Sequence, residues 1–308
     1  MIENILFACD FSGPSERAFR YGVDLAERTG ATLHCLYVQE VSMGPFVGGN
    51  PSPEAGEKGL RAEFVEKFET SLQPQVQTAG VDEVSYAVER ASAVAPAVVQ
   101  FVDTHDMDLV VMGTHGRRGV RRALFGSVAE EVLRTAPCPV LTARGQEEPA
   151  PPSPRVSRIV APVDFSEPSR HAVRYAARLT SVYDVSLTLL HVVELPKIPT
   201  VYEVEFSDAD PQEVAARVEA ELDEWVASVA TDGTVSTAVE TGDSAEGILR
   251  VADAPDDLVV MATRGTSGVK RTMLGSVAEG VLRGAVGPVI SCRAFPEWED
   301  RTGSLSES

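Results

Sequence analysis

Residues 110–128 read VVMGTHGRRGVRRALFGSV, and this stretch decides the fold. It opens as an apolar run, Leu109 to Met112, with the composition of a buried parallel strand. Gly113 and Gly116 break the run. A basic segment follows, then a further glycine, Gly126, then Ser127 and a helical pattern from Val128 to Arg134. Glycine lets the main chain approach a bulky ligand and adopt positive φ. Gly126-Ser127 falls where a helix starts, with free N–H groups and the positive end of the helix dipole, which suits a phosphate. The skeleton is strand, glycine loop, basic segment, glycine-serine, helix.

Outward from this stretch, the chain says the same thing twice. Residues 5–12, ILFACDFS, match residues 159–166, IVAPVDFS, at an offset of 154. Residues 126–130, GSVAE, recur at 275–279, an offset of 149, and Pro139-Val140 recurs as Pro288-Val289. The repeat sets two domains, at residues 1–143 and 155–293. Between them 144–154, RGQEEPAPPSP, reads as a Pro-rich linker, and the polar tail 294–308 as disordered.

Each copy gives the same elements. In the first, strands are expected at Ile5–Asp10, Thr32–Val38, Val84–Val88, Leu109–Met112 and Pro139–Ala143. Helices are expected from Ser12 and Pro14 to about Thr29, around Phe64, Val65, Phe68 and Leu72, from Pro96, and from Ser127. Residues 42–60 read as a loop. In the second copy, Val214, Val218, Leu222, Trp225 and Val229 mark a helix face. Strands alternating with helices imply right-handed crossovers and a parallel sheet. Such a sheet binds ligands beyond the carboxyl ends of its strands, where the strand order reverses.

The composition fits a globular protein. The 308 residues are 44% hydrophobic, and no apolar run approaches the ~20 residues of a membrane span. The N-terminus lacks a basic and then apolar leader, so no signal peptide is expected, and the expected location is the cytoplasm. Cys9, Cys35, Cys138 and Cys292 form no zinc or CxxC spacing and read as small buried residues. The net charge is −19, and four of 27 basic residues are lysines, which suggests a halophile's surface. The charge is even: 1–143 carries 19 acidic and 12 basic side chains, and 155–293 carries 21 and 13. An acidic surface argues against nucleic acid as a partner.

The pattern Gly113-x-x-Gly116, nine residues, Gly126-Ser127 resembles the signature of the ATP-binding universal stress proteins. It is neither a Walker A loop nor a GxGxxG. The resemblance covers nearly the whole chain. It implies two Rossmann-like domains of the adenine nucleotide alpha hydrolase-like kind, each a five-stranded parallel sheet of order 3-2-1-4-5. It also implies an adenine nucleotide as ligand: ATP, with Mg2+. By the resemblance Asp10 lies at the adenine and ribose end, Val38 meets the base, and Ala8 and Met112 line the pocket. Gly113, Gly116, Gly126, Ser127 and Val128 wrap the ribose and phosphates. The second copy supplies Pro162, Asp164, Val192, Met261, Gly265, Gly275, Ser276 and Val277. It departs at Ala262, which stands where the first copy has Gly113, and the added methyl is expected to face the ligand. The matching segments 139–142 and 288–291 imply that the copies pair as an internal pseudo-dimer, with a further homodimer left open.

Other readings stand beside these. Asp10 and Asp164 also suit helix caps or turns. Arg117, Arg118, Arg121 and Arg122 read singly as solvated, and as a cluster they offset ATP's charge. His115 reads as a surface loop residue, and Glu130 and Glu279 as complements to a helix dipole. No Ser-His-Asp order, HExxH or Cys-His set appears, so no catalytic residue is assigned. The expected function is a nucleotide-dependent stress regulator. The rivals are a scaffold with degenerate sites and a slow ATPase or self-phosphorylating enzyme.

Overall fold

A computed structural model describes residues 2–41, 53–114, 126–144, 154–194, 211–228, 233–264 and 273–293. The chain divides into two compact units, one of residues 1–155, 270–274 and 290–308, the other of residues 156–269 and 275–289.

The first copy runs β1 (Asn4–Ala8), α1 (Gly13–Thr29), β2 (Thr32–Glu40), α2 (Pro53–Ser71), α3 (Gln73–Ala79), β3 (Val84–Ala91), α4 (Val94–Thr104), β4 (Leu109–Gly113), α5 (Ser127–Thr135) and β5 (Val140–Ala143). Its strands lie in the order β3-β2-β1-β4-β5, and every pair is parallel. The second copy runs β6 (Arg158–Pro162), α6 (Glu167–Tyr183), β7 (Ser186–Val193), α7 (Pro211–Ser228), β8 (Val235–Thr241), α8 (Ser244–Val251), β9 (Asp257–Ala262), α9 (Ser276–Gly284) and β10 (Val289–Cys292). Its order is β8-β7-β6-β9-β10. Both copies therefore have the 3-2-1-4-5 order, which reverses between their first and fourth strands.

Local chemistry explains the helix ends. Ser12 caps α1 by accepting from the Ser15 amide, a proline sits in the first turn, and Gly30 closes the helix at φ 71°. These are the residues such ends call for. Ser166 caps α6 from Ser169 in the same way, but Asp184 takes the left-handed closing position at φ 54°, which Asp tolerates better than most residues.

Several boundaries differ from the sequence expectation. The first strand stops at Ala8, so Asp10 lies in a turn rather than in the strand. Helix α2 begins at Pro53, inside the stretch read as loop, because proline suits a first helical turn, where its missing N–H is not needed. Helix α4 starts two residues before Pro96 for the same reason. The fifth strand starts at Val140, and β2 and β3 run on to Glu40 and Ala91. The short α3, which opens with Pro74 and ends on Gly80 at φ 74°, was not anticipated. The linker core 145–153, the tail from 294 and Val229 lie outside the described residues.

The core of the first copy is aromatic. Phe7, Phe19 and Phe68 are fully buried. Phe19 sits 4.7 Å from Phe7 and 5.4 Å from Phe68, and Phe68 is 5.0 Å from Tyr86. Leu109, Val110 and Val111 are wholly buried, as a strand covered on both faces requires. The four cysteines are buried and form no disulfide. No helix among the described residues is long and apolar enough to cross a membrane.

The copies pack their last two helices differently. In the second, a side chain at Gly280 would meet Ala245 Cβ at 2.7 Å, and one at Gly284 would meet Leu249. These glycines let α8 lie close on α9. The first copy has Glu131 and Thr135 at the matching places, and an open groove there is lined by Pro96, Val99, Gln100 and Asp103 of α4. Gly280→Glu, the first copy's residue, should therefore lower stability by about 1–3 kcal/mol, the cost of forcing atoms into a packed contact. Denaturant unfolding checks it, and an unchanged midpoint would show that α8 moves aside freely.

Candidate functional site

At the reversal of strand order, the ends of β1 and β4 lie side by side, with Ala8 in register with Met112. Two residues beyond Ala8 the chain turns. Asp10 Oδ1 accepts from the Ser12 amide at 2.9 Å and from Ser12 Oγ at 2.7 Å. Ser12 Oγ accepts in turn from the Ser15 amide. Asp164 makes the same turn, taking the Ser166 amide at 3.1 Å and its hydroxyl at 2.5 Å. The turn-forming reading of both aspartates is thus realised. Among the described residues, the second carboxylate oxygen of Asp10 accepts no hydrogen bond.

Beyond β4, the Gly126 amide donates to the carbonyl of Thr114 at 2.8 Å. Thr114 is buried and its own amide donates to Ala143. The second copy repeats the bond, Gly275 to Thr263, at 3.0 Å. Each bond ties the start of a helix, α5 or α9, to the end of the strand before it. Gly126 caps α5 without a side chain, so the first-turn amides of Ser127, Val128 and Ala129 have no capping group. Ser127 is exposed and Val128 half-buried, as are Ser276 and Val277 in turn. A helix of nine residues then presents donors and a positive dipole end beside the end of β4.

Of the other expected residues, Met112 and Met261 are buried, while Val38 and Val192 are half-buried near the ends of β2 and β7. Glu89 and Glu240 are their register partners, and burial pushes the Glu89 carboxyl above its ordinary pKa. Gly116, Gly265, His115, Arg117, Arg118, Arg121 and Arg122 lie outside the described residues. Among the described residues no three His, Cys, Asp or Glu side chains gather as a metal site. The sequence reading missed Ser15, Ser169, Thr114 and Thr263. Their one signal was repetition at the two offsets.

Gly113 corrects an expectation. It does not have positive φ, and a Cβ there would not point into open space kept for a ligand. It would lie 2.6 Å from the Ser15 nitrogen and 2.8 Å from the Pro14 carbonyl carbon. The glycine exists so that the start of α1 can rest on the end of β4. Ala262 carries that extra carbon, so the matching Pro168-Ser169 has to stand off by on the order of 1 Å, the gap between such a clash and ordinary contact. Pro162, in place of Ala8, has no N–H to give to a neighbour. The ladder between β6 and β9 ends at Val160 and Val259, whereas that between β1 and β4 continues to Ala8 and Met112. Two substitutions thus loosen one seam. Gly113→Ala should cost about 1–3 kcal/mol of stability, and Ala262→Gly at most about 1 kcal/mol. Equal shifts in urea midpoint for the two would mean that α1 does not press on β4.

Comparison with known proteins agrees with this architecture. The sequence profile of the universal stress protein family matches residues 1–144 and again 155–293. A universal stress protein of Methanocaldococcus jannaschii is 34% identical over 146 residues, covering 47% of this chain and 83% of that protein. One from Mycobacterium tuberculosis is 30% identical over 208 residues, 66% of each. The crystal structure of a universal stress protein from Archaeoglobus fulgidus superposes with a TM-score of 0.65 at 20% identity, covering 95% of this chain and 99% of that one, a likeness of fold. The chain belongs to the universal stress protein family, with two copies of its domain in tandem.

Proposed function

We propose that this protein is an ATP-binding universal stress protein, a regulator whose state follows nucleotide occupancy. The observation that carries the reading is the Gly126–Thr114 bond, because it presents the uncapped start of α5 to whatever binds beyond β4. The residues fit the ligand. Amides of the first turn and the Ser127 hydroxyl would hold phosphate oxygens. The open oxygen of Asp10 suits a ribose hydroxyl, and Val38 offers an apolar surface to the base. Mg2+ would come with ATP and supply charge neutralisation there, as would the arginines at 117, 118, 121 and 122.

The two modules are taken as residues 1–143 and 155–293, joined by 144–154 and followed by a tail. The matching fifth-strand segments support pairing of the copies, the acidic surface suits a salt-rich cytoplasm, and the ligand is a small nucleotide rather than nucleic acid. The second site is the weaker one. Its ladder between β6 and β9 is shorter, and the Ala262 methyl lies where the start of α6, which bears the turn of Asp164, would otherwise rest on β9.

Heating the protein with and without Mg-ATP should show a rise in melting temperature, because a ligand of the folded state stabilises it. Calorimetry should resolve two unequal sites. Asp10→Ala should abolish the tighter phase and Asp164→Ala the weaker one, while Ser127→Ala should weaken the tighter by about 1 kcal/mol or more. No thermal shift at saturating ATP would overturn the reading.

A further inference from the structure

We propose that Phe11 and Phe165 are positioning residues: each is held in a left-handed backbone conformation by an aromatic clamp, and so fixes the aspartate before it for the nucleoside of the bound nucleotide. The proposal deepens the ATP-binding reading and rests on it.

Four non-glycine residues among those described have positive φ: Phe11 at 56°, Asp106 at 51°, Phe165 at 61° and Asp184 at 54°. Aspartate tolerates this region through its short polar side chain. Phenylalanine does not, because its Cβ crowds the following carbonyl, and a bulky residue there is a genuine outlier. Such strain persists only where the surroundings impose it, and it gathers at functional sites. Here it occurs twice, at matching places in the repeat, one residue after each candidate aspartate.

The surroundings that impose it are aromatic in both copies, and they differ in composition. The Phe11 ring lies 5.7 Å from Phe64, edge-on, and 6.4 Å from Tyr37, with Lys67 Nζ 4.1 Å from its centroid. The Phe165 ring lies 4.7 Å from His191 and 5.6 Å from Trp225, edge-on. Arg170 sits 4.5 Å over that tryptophan. Tyr37 and His191 occupy the same place in the repeat, on β2 and β7, while Phe64 and Trp225 come from α2 and α7. Different side chains thus hold the same ring in the same way. The held backbone lets Ser12 and Ser166 reach back to Oδ1 of their aspartates. That fixes each carboxylate at the head of α1 or α6. Without the ring, the turn keeps only its own hydrogen bonds, from Ser12 to Asp10 and from the Ser15 amide to Ser12, with their counterparts in the second copy.

The test uses the full chain with Phe11→Gly, which accepts positive φ but has no ring, and titrates ATP and inorganic tripolyphosphate in parallel. ATP affinity at the tighter site should fall about tenfold, the scale of a misplaced contact, while tripolyphosphate affinity stays unchanged, because the phosphate end of the site is untouched. Phe165→Gly should do the same to the weaker site alone. Loss of affinity for both ligands, or for neither, would overturn the proposal. If the glycine variant loses its fold, Phe11→Asn replaces it, since Asn also accepts this region. Should the wild-type chain bind no ATP, the nucleotide reading fails by itself. Hydrogen exchange then decides the clamp: the Ser12 and Ser15 amides must exchange faster in Phe11→Gly while those of Ile5–Phe7 do not, and unchanged protection would overturn it.

Discussion

The hydrogen bond from the Gly126 amide to the Thr114 carbonyl is the constraint on which the site depends. It ties the start of α5 to the end of β4. A helix start placed there has a fixed direction, and its dipole adds to the donors of the first turn. The same bond between Gly275 and Thr263 shows that this is a property of the repeat.

The frame has a second fixed point, at Gly113, and here the sequence was legible for place and not for cause. The spacing of glycines located the ends of β4 and the start of α5 correctly. The reason for the first glycine could not be read, because the atoms that demand it belong to Pro14 and Ser15, nearly a hundred residues earlier in the chain. Only the parallel order, which puts β1 beside β4, brings them together. The repeat was legible from its matching segments and the alternation of strands and helices from apolar periodicity, whereas the strand order came only from the family resemblance. The start of α2 at Pro53 was obscured by glycines and prolines that a first helical turn accepts. The short α3 has too few residues to show a period. The left-handed Phe11 had no local signal at all, since packing imposes its backbone against its own preference.

The copies also show how a duplicated domain diverges. Ala8 becomes Pro162 and Gly113 becomes Ala262. One change removes a donor and the other adds a carbon, on adjoining strands at the same end of the sheet. Each alone is tolerable, because a strand end can lose a bond and a helix start can back off. Together they act on one seam, so their effects on the geometry of the turn at Asp164 need not be independent.

At the other helix pair the direction is opposite. Gly280 and Gly284 replace Glu131 and Thr135, and α8 closes on α9 where α4 and α5 leave a groove. The second copy thus has a shorter ladder at the end of its first strand and closer packing on its flank. The hydrogen bonds that define the frame survive both changes: Gly275 still meets Thr263, and Ser166 still meets Asp164. The bonds between Ser166 and Asp164 belong to the turn that caps α6, so helix stability by itself favours keeping them. The weaker second site proposed above uses the same donors, so in that reading one set of bonds serves both the helix and the ligand.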